Sequence, residues 1–352
     1  MSHSEAEFRS YLRVSGLVAG LTFVVVFVTN SLCDPLWNVD GNRLFPANYA
    51  FNERHSKTNL YLRVGRERGC VIFGSSRATL LDAGRLGGLR CFNYSFSAGT
   101  PREFVHFARY VMAKGRQPEL VVVGVDGRNF SRSPLALEVP DFVRDLGRPP
   151  GVLETYLSLR TTDFSLRTIA RDSPWPRYYT EDFTADVLPH TPPYRPPSCF
   201  NSRDHGRRYT LENRRYYEEL LQLLRPARAI GYVPPISAWD IATLDADGTL
   251  DSYVETLYST AELFDRFYDF SIPSAVTRDP GNTYDGDHYS REVNAGIVRA
   301  LDRGSVSFGL AVHQLSLAAY KEAFKSAIAE FLRAERFSPV FSEQCPYVSA
   351  VR

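Results

Sequence analysis

The stretch Gly69-Cys70-Val71-Ile72-Phe73-Gly74-Ser75-Ser76-Arg77 decides the fold. A short apolar run bounded by glycines, with no polar alternation, is the pattern of a strand buried on both faces of a parallel sheet. Gly74-Ser75-Ser76-Arg77 then stands at a strand-to-helix turn, where an α/β sheet exposes a nucleophile beyond the carboxyl end of a strand. Taken alone, such a turn serves equally well as a helix cap or a phosphate cradle.

Outward from this turn the same rhythm continues. Ser75 to Leu86 has helix-like apolar spacing at Leu80, Leu81 and Leu86, with Gly87-Gly88 to end it. Cys91–Phe96 reads as a second strand. Pro101–Lys114 reads as a helix, with Pro101 in the first turn where its missing N–H costs nothing. Glu119–Val125 is a third buried strand. The alternation predicts an α/β fold, a parallel sheet with helices on both faces. From Ser131 to about Tyr209 the pattern is lost among prolines, tyrosines and arginines, and only Leu153–Arg171 looks helical. An irregular insertion of this length, about 131–210, is often a lid. Its stretch Ser173–Tyr209 is expected to fold over the carboxyl ends of the strands and line the cleft. The pattern resumes with a helix at Leu211–Leu224, a strand at Ala229–Val233, a helix at Leu250–Phe267 and a last strand at Tyr268–Ile272. Ser290 caps a helix to about Leu301, and Leu315–Arg333 is a final amphipathic helix.

Composition excludes little. The chain has 352 residues, 41 basic and 40 acidic, so no basic excess points to nucleic acid. Between Arg13 and Asp34 no residue is charged, and about 20 residues at ~1.5 Å each span a ~30 Å hydrocarbon core. Arg9 and Arg13 favour an N-in signal anchor by the positive-inside rule. A cleaved signal peptide fits less well, since Thr29-Asn30-Ser31-Leu32 offers no small-residue cleavage site; a buried core helix is the other alternative. The expected organisation is a cytoplasmic tail at 1–13, a transmembrane anchor at 14–33, a connector at 34–66, an α/β domain at 67–302 and a C-terminal helical extension at 303–352. Cys33, Cys70, Cys91, Cys199 and Cys345 contain no C-x-x-C pair, so neither a zinc nor a redox motif is expected. Cys70 and Cys91 each head a strand-like run; a disulfide between neighbouring strands and two buried thiols both fit.

Far downstream, Tyr284-Asp285-Gly286-Asp287-His288 supplies what a nucleophilic serine lacks. A serine hydroxyl needs a base, and an imidazole needs an acid to fix its tautomer. Asp285 and His288, three apart on one loop, suit those roles. Asp287 adds a second carboxylate, so a metal-binding loop is the alternative. The other histidines (His3, His55, His106, His190, His205, His313) have no such partner pattern and read as surface or helix residues.

Together, Gly74-Ser75-Ser76, the run Phe92–Gly99 and Asp285-x-x-His288 resemble the SGNH (GDSL-like) hydrolase superfamily, over roughly residues 67–302. The likeness is to its membrane-anchored branch, with alginate O-acetylation and teichoic acid D-alanyl transfer proteins. The resemblance implies a flavodoxin-like three-layer α/β/α fold, with Ser76, Asp285 and His288 as catalytic triad and Ser76 and Gly99 as oxyanion donors. The family's third block usually brings an Asn, where this chain has Gly124-Val125-Asp126-Gly127-Arg128-Asn129. An ionised Asp126 cannot donate a hydrogen bond, so Asn129 or a backbone N–H substitutes, or the oxyanion hole is weaker. The implied activity is that of a serine esterase or O-acyltransferase, without cofactor or metal, on acyl esters of cell-surface polysaccharide. Its partners would be an acylated glycan or acyl donor, the inner membrane through a single-pass anchor, and envelope-complex proteins, with the bulk of the chain periplasmic. The rival is a non-catalytic SGNH-like scaffold subunit: the intact Ser76, Asp285 and His288 argue against it, Asp126 for it. A cytoplasmic nucleotide-binding protein lacks its G-x-G-x-x-G or P-loop fingerprint.

Overall fold

The computed structural model describes residues 3–82, 84–181, 183–197 and 208–335. In chain order the helices and strands are α1 (His3–Cys33), β1 (Ala47–Asn48), α2 (Glu53–Leu60), β2 (Cys70–Phe73), α3 (Ser76–Thr79), β3 (Arg85–Leu86), β4 (Leu89–Asn93), α4 (Pro101–Lys114), β5 (Leu120–Gly124), α5 (Asp141–Arg144), α6 (Val152–Tyr156), α7 (Leu159–Ala170), β6 (Arg177–Thr180), β7 (Ala185–Val187), α8 (Arg214–Leu224), β8 (Arg228–Val233), α9 (Ala238–Ala246), α10 (Leu250–Ala261), β9 (Arg266–Asp269), α11 (Arg291–Arg303), β10 (Leu310–Ala311) and α12 (Leu317–Ala334). They form two compact units. The first comprises the described residues of Met1–Leu60 and Arg148–Leu188; the second comprises the remaining described residues.

The second unit is α/β, around a seven-stranded sheet ordered β10-β9-β8-β5-β2-β4-β3. β4, β2, β5, β8 and β9 run parallel, so the parallel strands taken in sequence order lie 2-1-3-4-5. β2 is buried along its whole length. Cys70 and Ile72 join Val122, Ile230 and Ile297 in the main apolar cluster, while the Phe73 ring meets Phe104 of α4 at 5.9 Å. That two-sided burial is why the run is apolar without alternation. α4 begins as read, with a capping box between Thr100 and Glu103 that satisfies two end N–H groups.

The sheet is mixed rather than purely parallel, because both edges are antiparallel: β3 pairs with β4 and β10 with β9. The helix expected over Ser75–Leu86 stops at Thr79. Gly87 and Gly88 take φ of +55° and +80°, which closes a two-residue hairpin between β3 and β4 instead of ending a helix. Likewise α10 ends at Ala261, and Phe267 belongs to β9. Cys70 and Cys91 are register partners on β2 and β4, with Cα atoms 4.2 Å apart, and they form a disulfide. Cys33 is a buried free thiol; Cys199 and Cys345 lie outside the described residues, as does His205.

The first unit joins α1 to a three-stranded antiparallel sheet ordered β1-β6-β7, with α6 and α7 packed on α1. Over Glu7–Cys33, α1 is long and apolar enough to cross a membrane. The stretch read from sequence as a connector contributes β1 and α2 here, and much of α2 is buried. Its interior is polar: Glu53, Lys57 and Arg177 are all buried. The Tyr179 hydroxyl donates to Glu53 at 2.5 Å, and the Lys57 ammonium lies over the Tyr179 and Phe183 rings at 5.6 and 5.7 Å. The middle of the chain, expected to be largely irregular, holds α5, α6, α7, β6 and β7.

Candidate active site

Two loops at the carboxyl ends of the parallel strands carry the site. The turn after β2 is tight because two glycines let it be. A Cβ on Gly74 would sit 2.5 Å from the Cβ of Ala78, and one on Gly124 at 3.3 Å from the same atom. Ser75, the N-cap of α3, is buried at 5 % exposure, whereas Ser76 is half-buried.

The second loop, Thr283–Tyr289, is held from within. Thr283 Oγ1 donates to the His288 carbonyl at 2.8 Å and accepts from the Gly286 N–H at 3.0 Å. Asp285 Oδ1 accepts from the backbone N–H groups of Asp287 (3.0 Å) and His288 (2.8 Å). Gly286 has φ +86°, and a Cβ there would sit 3.0 Å from the Tyr194 ring, so both backbone and packing require glycine. The Ser237 N–H at the head of α9 donates to the Gly286 carbonyl at 2.7 Å.

These loops bring Ser76, His288 and Asp285 into one hydrogen-bonded line. His288 Nε2 is 2.8 Å from Ser76 Oγ, and His288 Nδ1 is 2.7 Å from Asp285 Oδ2. Residues 212 apart in sequence thus meet at hydrogen-bond distance. Tyr284 stacks nearly parallel on the imidazole, with centroids 5.3 Å apart.

The expected oxyanion donors fare differently. Gly99 sits beside the Gly74–Arg77 turn, since a Cβ on it would lie 2.8 Å from the Gly74 carbonyl. Its N–H, however, donates to the Phe96 carbonyl at 3.0 Å and closes its own turn. Asn129 has its backbone bonded elsewhere. It is buried, its N–H donates to the Asp126 carbonyl at 3.0 Å, and its carbonyl accepts from Asn213 at 2.7 Å.

A charge network that sequence reading did not assemble lies beside Ser76 and His288. The buried Arg77, next to Ser76, lies 3.4 Å from Asp126 and 3.6 Å from Asp287. Arg128 holds Asp287 at 2.6 Å and reaches Asp240 at 3.9 Å. Burial would raise the Asp287 pKa, but Arg128 and then Arg77 hold it well below the usual carboxylate range. Asp126 also accepts from the Arg128 N–H at 3.0 Å. Asp126 is therefore an ion partner of the Arg77 guanidinium and the cap of the turn that follows it. The signal was present in the Arg that follows Ser76 and the Asp that precedes His288, but only the fold shows that they meet.

Tyr194 was likewise not singled out. Its N–H donates to the Thr283 carbonyl at 3.1 Å, and burial raises the pKa of its hydroxyl, with nearby Asp240 adding to the rise. Of the stretch expected to cover the cleft, residues 189–197 thus reach the histidine loop, while β6 and β7 belong to the first unit and residues 198–207 lie outside the described ones.

No family model matches the sequence, and no curated protein matches it. Among solved structures, one described as a candidate platelet activating factor from Streptococcus pneumonia is 10 % identical with a TM-score of 0.31, covering 81 % of this chain and 91 % of that one. A likeness of that size fixes neither fold nor chemistry.

Proposed function

We propose that the protein is a membrane-anchored serine esterase or O-acyltransferase of the SGNH kind, acting on acyl esters of cell-surface polysaccharide. The observation that carries this reading is the unbroken line from Ser76 Oγ through His288 to Asp285, at 2.8 and 2.7 Å. Ser76 Oγ attacks the acyl carbonyl while His288 Nε2 takes its proton, and Asp285 keeps the imidazole in the tautomer that can do so. The proton then passes to the departing alkoxide, leaving an acyl-serine. Water or a sugar hydroxyl, deprotonated by His288, releases it. The oxyanion meets the Ser76 N–H, with the Gly99 N–H as second donor once it leaves the Phe96 carbonyl. The 2-1-3-4-5 order of the parallel strands supports the flavodoxin-like assignment. The Cys70–Cys91 disulfide supports a periplasmic location, and the apolar α1 supports a single-pass anchor.

The test is turnover of an acetylated polysaccharide by the wild-type chain and by Ser76→Ala, His288→Ala and the double variant. Each single variant is expected to lose essentially all acetate release, and the double to lose little more, because the residues act as a unit. A folded wild-type chain that releases or transfers no acetyl group supports the scaffold reading instead.

A further inference from the structure

α7 has the reverse of the pattern that a water-exposed helix needs. Its buried stripe is Thr161, Ser165 and Thr168, while Leu159, Leu166 and Ile169 are 89, 57 and 43 % exposed. Arg160, Asp163 and Arg167 make a third face. α6 and the turn after it repeat the arrangement: Thr155 and Tyr156 are buried, and Val152, Leu153 and Leu157 are 43, 68 and 40 % exposed. A helix in water turns its large apolar side chains inward. Small polar residues at a helix contact, with leucines outside, are the arrangement that suits lipid.

Thr168 Oγ1 accepts from the Tyr49 and Ala50 N–H groups at 3.4 Å, and the rest of this side packs on α1. The Asn30 amide donates to the Tyr156 carbonyl at 2.7 Å and to Thr162 Oγ1 at 2.9 Å. Phe27 and Tyr156 make an edge contact at 5.6 Å, and Cys33 reaches the Ser165 carbonyl. These partners fix the level of α6 along α1. Asp34 is the first charged residue after the apolar run; Asn30 and Phe27 lie four and seven residues before it, about 6 and 10 Å down the helix at 1.5 Å per residue. α6 and the first turn of α7 are thus level with the last part of the apolar run.

We propose that α6 and the start of α7 form a lipid-docking surface that embeds in the same leaflet α1 leaves, with the exposed Arg148 and Arg160 at its edge to meet lipid phosphate. The implied depth matches the ~5–10 Å typical of interfacial helices. The proposal rests on α1 crossing the membrane and is independent of the esterase chemistry.

The test uses the full chain in liposomes of phosphatidylethanolamine and phosphatidylglycerol. Single cysteines replace Leu153, Leu159, Asp163 and, as a control in the sheet unit, the exposed Leu137. Each carries an environment-sensitive fluorophore, and the signal of the unaltered chain is subtracted. Lipids bearing a doxyl group just below the headgroup should quench positions 153 and 159 several-fold more than 163 and 137, and aqueous iodide should do the reverse. Equal iodide quenching at 159 and 163 would overturn the proposal. So would protection of 153 and 159 from both quenchers that fades as protein density falls, the mark of a second copy on this face. Should one substitution fail to fold, Leu166→Cys on the same face reads out the same contrast against Asp163→Cys.

Discussion

The interiors of the two units differ in emphasis. In the sheet unit, Ile72, Val122, Ile230 and Ile297 belong to a continuous apolar cluster, with the buried Glu103 and Asp269 hydrogen-bonded within the fold and Arg77, Asp126 and Asp287 beside Ser76 and His288. In the unit that holds α1, the interior contains Asn30, Glu53, Lys57 and Arg177 while leucines of α6 and α7 face outward. A core built in water specifies itself by hydrophobic periodicity. One packed on a long apolar helix need not; on the readings proposed above, the sheet unit would hold a reactive geometry and the other unit a position.

The sharpest way to break this contrast is at the rim of the sheet unit. Ser76→Ala or His288→Ala should cut ester turnover by about a million-fold, the scale of nucleophile or base loss in a serine protease, with the thermal transition unchanged because neither side chain packs in the core. Asp285→Asn should lose about ten-thousand-fold, measured on the same acetyl ester; a loss under tenfold would mean that another group orients the imidazole.

Next in size is the charge network beside Ser76 and His288. Arg77→Met leaves Asp126 and Asp287 facing fewer cations and should cost about 3 kcal/mol in denaturant unfolding, the low end for breaking a buried ion pair. Adding Asp126→Asn should recover part of that loss, since it removes one stranded carboxylate; no recovery would mean that the two do not interact. Reducing the Cys70–Cys91 bridge, whose ends are 21 residues apart, should cost about 3 kcal/mol by loop entropy, seen as a lower denaturant midpoint. Both changes belong to the sheet unit and should leave the other unit's hydrogen exchange untouched.

A pH dependence tests the polar interior. Burial pushes the Lys57 amine down to about 7, with the Arg177 guanidinium adding to the fall and Glu53 opposing it. Its folded value thus lies below its unfolded 10.5, so between these values the unfolded chain binds more protons. Stability of this unit should rise as pH climbs from about 7 towards 10.5, and fall on the way back down. Lys57→Met should flatten that slope in hydrogen exchange of β6. An unchanged slope would assign it to another group.

How much of this was legible follows the same divide. β2, α4, β5 and β8 stood out because each is a short, wholly apolar run or a capped amphipathic helix. The Asp285–His288 pair stood out because its chemistry is compressed into four residues. The hairpin at Gly87-Gly88 was misread because Leu80, Leu81 and Leu86 mimic helical spacing, and only the left-handed φ values of both glycines reveal the turn. β1 and β6 pair across about 130 residues through two backbone positions, which leaves no local trace. α7 was read as a helix but not as an inverted one, since the direction a face points depends on α1. Asp126 looked like a lost donor until Arg77 was found beside it.

Covalent labelling tests the central claim most directly. A fluorophosphonate reacts only with a serine whose hydroxyl is activated by a base. The wild-type chain should take up one label, mapped by mass spectrometry to Ser76, and Ser76→Ala and His288→Ala should take up none while unfolding at the wild-type temperature. A folded wild-type chain that stays unlabelled, or that keeps its label when His288 is replaced, would contradict the reading of Ser76, His288 and Asp285 as a working triad.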